Sequence, residues 1–375
     1  MSANLPTDVA RRGSVPGESP GTGAPSFGEH PASTAAGGSA IPPAVARTLS
    51  ALERSDIRWA LLRGEAELGS PGGDVDVLVA PGDLPRLAAE LAQLGFGRLR
   101  RHGHGPHSFF LAYDPSEDRW IKLDVVTSLA YGRYQELALD GAAGCLERRR
   151  QSTGGLARLA ADDGFWTLLL HCVLDGAGFP ARHRKALLSL VGGASAHGPL
   201  AQILERSLPD NARAEALFGF VETEDWAALE RAAPLIRASW SGRFRVASNA
   251  RALRNRTMRR LGRIPPLCEP GLRVRAQPGE FALAEAVAER WPLPHRMLRL
   301  EGSTAALLRT LALTRWHAVR GRLVLVALSE RSPVPGLLER VVGGSYVVAL
   351  DLSMHASAQE ATAEIWRRYV ERSRR

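Results

Sequence analysis

Asp74 and Asp76 stand two residues apart in the run Leu61–Val79, LLRGEAELGSPGGDVDVLV. The hydrophobic alternation after the glycines predicts a strand through DVDVLV. Side chains alternate faces along a strand, so both carboxylates point one way, while Val75, Val77 and Val79 point the other way into a core. Two carboxylates side by side repel, and a cation between them relieves that cost. A hard divalent ion such as Mg2+ takes oxygen ligands of this kind, often together with substrate phosphates. A third carboxylate, Asp124, lies in a second strand-like run, WIKLDVVT, from Trp120 to Thr127. If the two strands pair, three carboxylates converge, a set suited to two-metal phosphoryl or nucleotidyl transfer. The plainer alternative is a strand end at Asp74, with Asp76 and Asp124 solvated.

Residues 57–127 resemble the nucleotidyltransferase fold of the polymerase-beta type. That family's signature is a hydrophobic residue, Gly, Gly or Ser, a short gap, DhDh, and a third Asp on a later strand. Arg63-Gly64-Glu65 stands at the Gly-Ser place, DVDV follows at Asp74, and Asp124 fills the third place. The resemblance implies two Mg2+ ions on Asp74, Asp76 and Asp124, and a nucleoside triphosphate as donor. An acceptor hydroxyl attacks the α-phosphate, with its deprotonation favoured by Asp124. Gly64 lets the backbone approach the phosphates. Glu65 replaces the serine that helps hold the triphosphate, which sets an anion beside an anionic substrate. Lys122, two residues before Asp124 on the same strand face, touches the nucleotide or pairs with one of the aspartates. Arg133, in SLAYGRY, neutralises a phosphate or is an ordinary surface arginine.

The elements that would position these residues follow from periodicity. Val45, Leu49 and Leu52 predict a helix over 44–56, and IRWALLRG predicts the strand before the glycine turn. Asp83 is expected to cap a helix carrying Leu84, Leu87, Leu91 and Leu94 on one face, ended by Gly95. GRLRRHG and HSFFLAYD are the next strands, followed by the Asp-Pro-Ser-Glu-Asp turn. His102, His104 and His107 read as an exposed polar hairpin, with metal ligation the lesser alternative. Residues 156 to about 260 read as all helical, with Asp162 or Asp163 as the first cap. Trp166, Leu170 and Leu174 are core positions there, and His171, inside that apolar helix, is read as structural. Eight arginines lie between Arg243 and Arg263. No aromatic interleaves them after Phe244, so a solvated helix is expected there and not a nucleic-acid-binding segment.

From about 271 the chain resembles a thymidylate-kinase-like P-loop domain without its chemistry. Gly279-Glu280-Phe281-Ala282 stands where Gly-Lys-Ser/Thr precedes the helix ALAEAVAER. Glu280 reverses the charge offered to phosphates, and no lysine follows Lys185. GRLVLVALSE and YVVALDLS resemble core strands, and ATAEIWRRYVERSRR the closing helix. Another small α/β unit is the alternative.

The expected fold class is therefore α/β in four parts. A disordered Pro-, Gly- and Ser-rich tail covers 1–42. A nucleotidyltransferase-like α+β domain covers 43–150, a helical domain 151–262, and a degenerate kinase-like α/β domain 263–375. The order of parts resembles a bacterial fusion, some of whose members are encoded beside biosynthetic genes. That implies an enzyme with an unidentified hydroxyl acceptor, or a non-catalytic scaffold for a biosynthetic partner protein.

At 375 residues and 45% apolar content, the chain can bury sizeable cores. Its formal net charge is +9, and nearly all of its positive charge is arginine, since Lys122 and Lys185 are the only lysines. That composition permits anion binding. Cys145, Cys172 and Cys268 form no CxxC and suggest neither a disulfide framework nor a zinc site. No apolar run reaches the roughly 18 residues a membrane span needs, and no signal-peptide core is evident, so a cytoplasmic location is expected.

Overall fold

The computed structural model describes residues 41–64, 68–69, 74–99, 105–152, 155–176, 178–261, 272–276, 280–293, 295–300, 313, 323–328 and 355–373. The tail before 41, Glu65, His102, His104, Pro265, Pro266, Gly279 and the strand expected at 346–353 lie outside these described residues. The protein is a mixed α/β chain whose described strands form a seven-stranded mixed sheet, a three-stranded parallel sheet and a two-stranded ribbon.

Helix α1 (Pro43–Arg54) begins with proline in its first turn, where the missing amide costs nothing. Val45, Leu49 and Leu52 form its buried stripe. Strands β1 (Trp59–Arg63) and β2 (Asp74–Val79) follow, then α2 (Leu84–Gln93). Strands β3 (Gly97–Leu99), β4 (His107–Asp114) and β5 (Arg119–Val126) come next. A separate ribbon, β6 (Leu129–Tyr131) with β7 (Leu137–Leu139), precedes the short helix α3 (Ala142–Glu147). Strands β8 (Arg150–Gln151) and β9 (Ala157–Arg158) complete a sheet of order β3-β4-β5-β2-β1-β9-β8. Because β9 lies parallel to β1, with Leu61 opposite Arg158, the sheet runs past the division expected at 150.

Two details of the α2 region differ from expectation. Asp83 precedes α2 but makes no side-chain cap; its carboxylate accepts the Arg58 amide at 3.0 Å. Leu87 and Leu91 are fully buried whereas Leu94 is 40% exposed, so the apolar stripe is narrower than the leucine spacing implied.

Alternation divides the sheet's residues cleanly. Val75, Val77, Val79, Ile121, Leu123, Val125, Phe110 and Ala112 face α1 and α2 in one continuous core. The opposite face is covered in two parts. Ala60, Leu62, Leu78 and Val126 join the core of the helical region. Phe109, Leu111 and Tyr113 join the core of the C-terminal unit. Between the two coverings lie Asp74, Asp76, Lys122 and Asp124, which share that face by register.

The helical region comprises α4 (Ala161–Leu174), α5 (Ala181–Val191), α6 (Pro199–Glu205), α7 (Ala214–Glu222), α8 (Trp226–Arg243) and α9 (Arg245–Leu261). Helix α4 is apolar almost all round, and it is buried all round, with Trp166, Leu170 and Leu174 in the core. Neither Asp162 nor Asp163 caps it: Ala160 occupies that position. Asp163 is wholly buried and receives Arg148 through two bonds, Nε to Oδ2 at 3.1 Å and a terminal nitrogen to Oδ1 at 2.7 Å. Arg148→Ala would leave that carboxylate uncompensated in the core. It should cost about 3 kcal/mol, the low end for a broken buried pair because Arg148 itself reaches solvent. The shift of the urea midpoint measures it, and a loss under about 1 kcal/mol would mean that water replaces the guanidinium.

Helix α9 is held to the β6–β7 loop by Asn255, which donates to the Tyr134 carbonyl at 2.7 Å, and Arg251, which donates to that of Glu136 at 3.2 Å. The rest of α9 is largely exposed, as expected of its arginines. The C-terminal unit contains β10 (Leu272–Ala276), α10 (Phe281–Arg290), β11 (His295–Leu300), β12 (Leu323–Leu328) and α11 (Ala358–Ser373). Its three described strands are parallel, with β12 between β10 and β11. Strand β11 was not expected from the sequence. Among the described residues, no helix is long and apolar enough to cross a membrane.

Candidate active site

Strands β2 and β5 run side by side and parallel, with Asp74 opposite Lys122 and Asp76 opposite Asp124. The three aspartates therefore share one face of two adjacent strands, as the sequence predicted. The site opens to solvent at Asp74 and closes inward, with Asp124 only 7% exposed.

Each carboxylate has its own cationic partner. Lys122 Nζ donates to Asp74 Oδ2 at 2.5 Å. Arg63 Nε donates to Asp76 Oδ2 at 2.6 Å. His107 Nδ1 lies 2.8 and 2.9 Å from the two oxygens of Asp124. Lys122 also lies over the Phe109 ring, 4.8 Å from its centroid. Of the two roles expected for Lys122, pairing with an aspartate is the one observed.

Arg63 reaches the site through a backbone irregularity. In simple alternation Arg63 would share the face of Leu61, toward α1 and α2. The register instead slips between Leu61 and Arg63, and Arg63 becomes the partner of Asp76. Leu62 and Arg63 thus both oppose one residue, the signature of a β-bulge, which turns the guanidinium onto the acidic face. Gly64 follows at φ +81°, a left-handed conformation that favours glycine.

His107 is not part of an exposed hairpin. It opens β4 opposite Val126, on the face of Asp124. Counting back from the tight turn at Asp114–Arg119 would have found it.

The electrostatics follow from this pairing. Burial disfavours the charged imidazole of His107, but the charge and hydrogen bond of Asp124 outweigh burial and raise its pKa. Burial likewise opposes the Asp124 charge, yet His107, Arg63 and Lys122 hold its carboxyl below the usual range. Burial raises the Asp74 carboxyl, and Lys122 offsets only part of that. With its folded pKa raised, His107 adds stability below its unfolded pKa, and this is lost as pH rises through the folded value. The depressed Asp124 adds stability that is lost as pH falls through its own folded value. The pair therefore stabilises most between these limits. In metal-free protein the urea midpoint should fall as pH rises above about 6.5, the ordinary histidine value. His107→Gln should flatten that slope, and an unchanged slope would assign it elsewhere.

Other expected residues are not gathered here. Arg133 is exposed, with its guanidinium 5.5 Å from the Tyr134 ring centroid, and it forms no ion pair with the aspartates among the described residues. Glu280 precedes α10 without capping it.

The fit to a hard divalent ion rests on donor chemistry. Asp74 and Asp76 each commit one oxygen to a cation, and the other oxygen of each has no protein partner among the described residues. Three carboxylates on one face are the right donors for Mg2+. They are turned toward Lys122, Arg63 and His107, and among the described residues no three His, Cys, Asp or Glu side chains are drawn around one point. Ion binding therefore requires a local exchange of partners.

No protein-family model, curated protein or solved structure matches this chain.

Proposed function

We propose that this protein is a divalent-cation-dependent nucleotidyltransferase, moving a nucleoside monophosphate from a triphosphate to an acceptor hydroxyl with release of pyrophosphate. One observation carries the reading: Asp76 and Asp124 are register partners on parallel strands, with Asp74 one step along the same face. Asp74, Asp76 and Asp124 would hold the Mg2+ ions. When bound, these supply charge stabilisation at the transferred and leaving phosphates.

The chain's own residues do the rest. Gly64, beside Arg63 and free of a side chain, gives the phosphates a close approach to the backbone. Lys122 exchanges its bond to Asp74 for a phosphate oxygen as the ion takes Asp74. Arg63 keeps Asp76 oriented. The helical region and the C-terminal unit flank the site on two sides, leaving it open at Asp74. In this reading the C-terminal unit has no phosphate chemistry of its own, since Glu280 stands where a P-loop lysine would be.

A second reading, a non-catalytic scaffold for a biosynthetic partner protein, is favoured by the three built-in ion pairs. They balance the aspartates without any bound ion. Incubation with each of the four NTPs and Mg2+ separates the two readings. Pyrophosphate release from one NTP supports the transferase, and silence with all four, with water and with glycerol as acceptors, favours the scaffold.

A further inference from the structure

His171 lies on α4, which packs over the face of the sheet that carries the aspartates. Its Nδ1 is 2.8 Å from Asp175 Oδ2, one helical turn on. The other oxygen of Asp175 accepts the Gly132 amide at 2.7 Å, so both carboxylate oxygens are engaged. A carboxylate accepts only, so Nδ1 carries the proton and Nε2 presents a lone pair. The loop that supplies this amide follows β6 and turns at Gly132, with φ +90°. Helix and loop thus lock one imidazole tautomer together, the arrangement that orients a histidine base.

Groups from β1, β2, α5 and α8 lie around His171, and Asp175 also acts on the buried Tyr131 hydroxyl of β6. Arg63 of β1 and Asp76 of β2 are among the charges acting on it, so the imidazole shares the field of the acidic site. From α5, the His183 ring meets it edge-on at 5.7 Å between centroids. Arg182, also on α5, acts on His183 and Cys172. From α8, Arg237 is committed to the Val173 carbonyl at 3.0 Å. Burial, then Arg63, holds the His171 pKa below the ordinary histidine value, so the ring is neutral at pH 7.

The competing bases are less available. Asp124 has both oxygens on His107, and in the reading above it gives them to the ion instead. Cys172 and His183 approach at 3.4 Å, but burial pushes the thiol up to about 12 and the imidazole down to about 4. They are a neutral pair, not a thiolate–imidazolium nucleophile.

We propose that His171, oriented by Asp175, takes the proton from the acceptor hydroxyl. This rests on the nucleotidyltransferase reading above. The acceptor O–H bond breaks with its proton passing to His171 Nε2. The freed oxygen pair forms the new bond to the α-phosphorus, and the bond to pyrophosphate breaks with its electrons leaving on pyrophosphate. The imidazolium, paired with Asp175, then returns the proton to solvent. The acceptor hydroxyl is therefore met on the helical side of the acidic strip, the side that α4 covers. It is an alcohol-type hydroxyl that needs a base at neutral pH.

The test uses the full chain with Mg2+ and the four NTPs, with water and glycerol as acceptors. Wild type, His171→Gln, Asp175→Asn and Asp74→Asn are compared. His171→Gln should keep Mg2+-dependent NTP binding within about threefold and slow pyrophosphate release by about 10²- to 10⁴-fold. It should also erase the acid limb whose midpoint matches the His171 titration followed by imidazole 15N NMR. At pH 7 the same spectra should show a bare Nε2 in wild type and a mixed tautomer in Asp175→Asn. Asp175→Asn should slow release in parallel, which keeps the test decisive if His171→Gln fails to fold. A wild-type rate and acid limb in His171→Gln, or a protonated Nε2 in wild type at pH 7, would overturn the proposal alone. No pyrophosphate release by wild type, or full release by Asp74→Asn, would overturn the parent reading and this proposal with it.

Discussion

Asp76→Asn should reduce Mg2+-dependent pyrophosphate release by about 10³-fold or more, worth about 4 kcal/mol of transition-state stabilisation. Asp76 is the central carboxylate of the strip. It faces Asp124 across the parallel strands and anchors Arg63 at 2.6 Å. Asparagine keeps the shape and one acceptor oxygen, so Arg63 retains a hydrogen bond while the charge that would hold a metal ion is gone. Folding should therefore survive, and the loss should fall on turnover. Parallel urea melts and single-turnover rates separate the two effects. A variant that melts like wild type and turns over within about tenfold of it would show that Asp76 only partners Arg63.

Trp366→Ala should destabilise the whole chain by about 3 to 5 kcal/mol, the range for removing a buried aromatic. Trp366 is 3% exposed and belongs to the core that β3 and β4 share with the C-terminal unit. Its ring stacks on Tyr369 at 4.8 Å between centroids and meets Trp120 edge-on at 5.0 Å. Its indole N–H donates to the Gly95 carbonyl at 3.0 Å. Gly97 packs so closely on the ring that an added Cβ would stand 3.1 Å from it. Trp120 joins the two units further, donating its N–H to the Arg290 carbonyl at 2.6 Å. The C-terminal unit is thus fastened to the sheet by core contacts, and the variant should shift one shared unfolding transition. Tryptophan fluorescence and far-UV dichroism followed through the same urea titration check this. Two separate transitions, with only the C-terminal signal moved, would mean that the units fold independently.

What the sequence made legible was whatever period and chemistry fix locally. The period-two run DVDVLV sets both aspartates on one face and the valines on the other, and a buried core enforces that register. WIKLDVVT follows the same rule, so its pairing beside β2 brings Asp124 into line. Placing three residues near the acidic strip needed more than local pattern. Arg63 depends on a bulge, and simple alternation assigns it to the wrong face. His107 depends on the register of the β4–β5 hairpin, counted over seven residues from its turn. His171 lies in a helix apolar all round, where no polar stripe marks the side that meets the sheet. Asp162 and Asp163 looked like caps because acidic residues favour first turns. Tertiary pairing with Arg148 claimed Asp163 instead. In β11 the sequence HRMLRL mixes basic and apolar residues without a buried-strand signature, and its place beside β12 emerges only from the parallel sheet.

Calorimetric titration of each NTP into wild type and Asp74→Asn/Asp76→Asn, with and without Mg2+, tests the nucleotidyltransferase reading directly. One NTP should bind wild type, binding should need Mg2+, and the double variant should abolish it while remaining folded. Binding that is equally strong without Mg2+ or in the double variant, or no binding of any NTP to wild type, would contradict that reading.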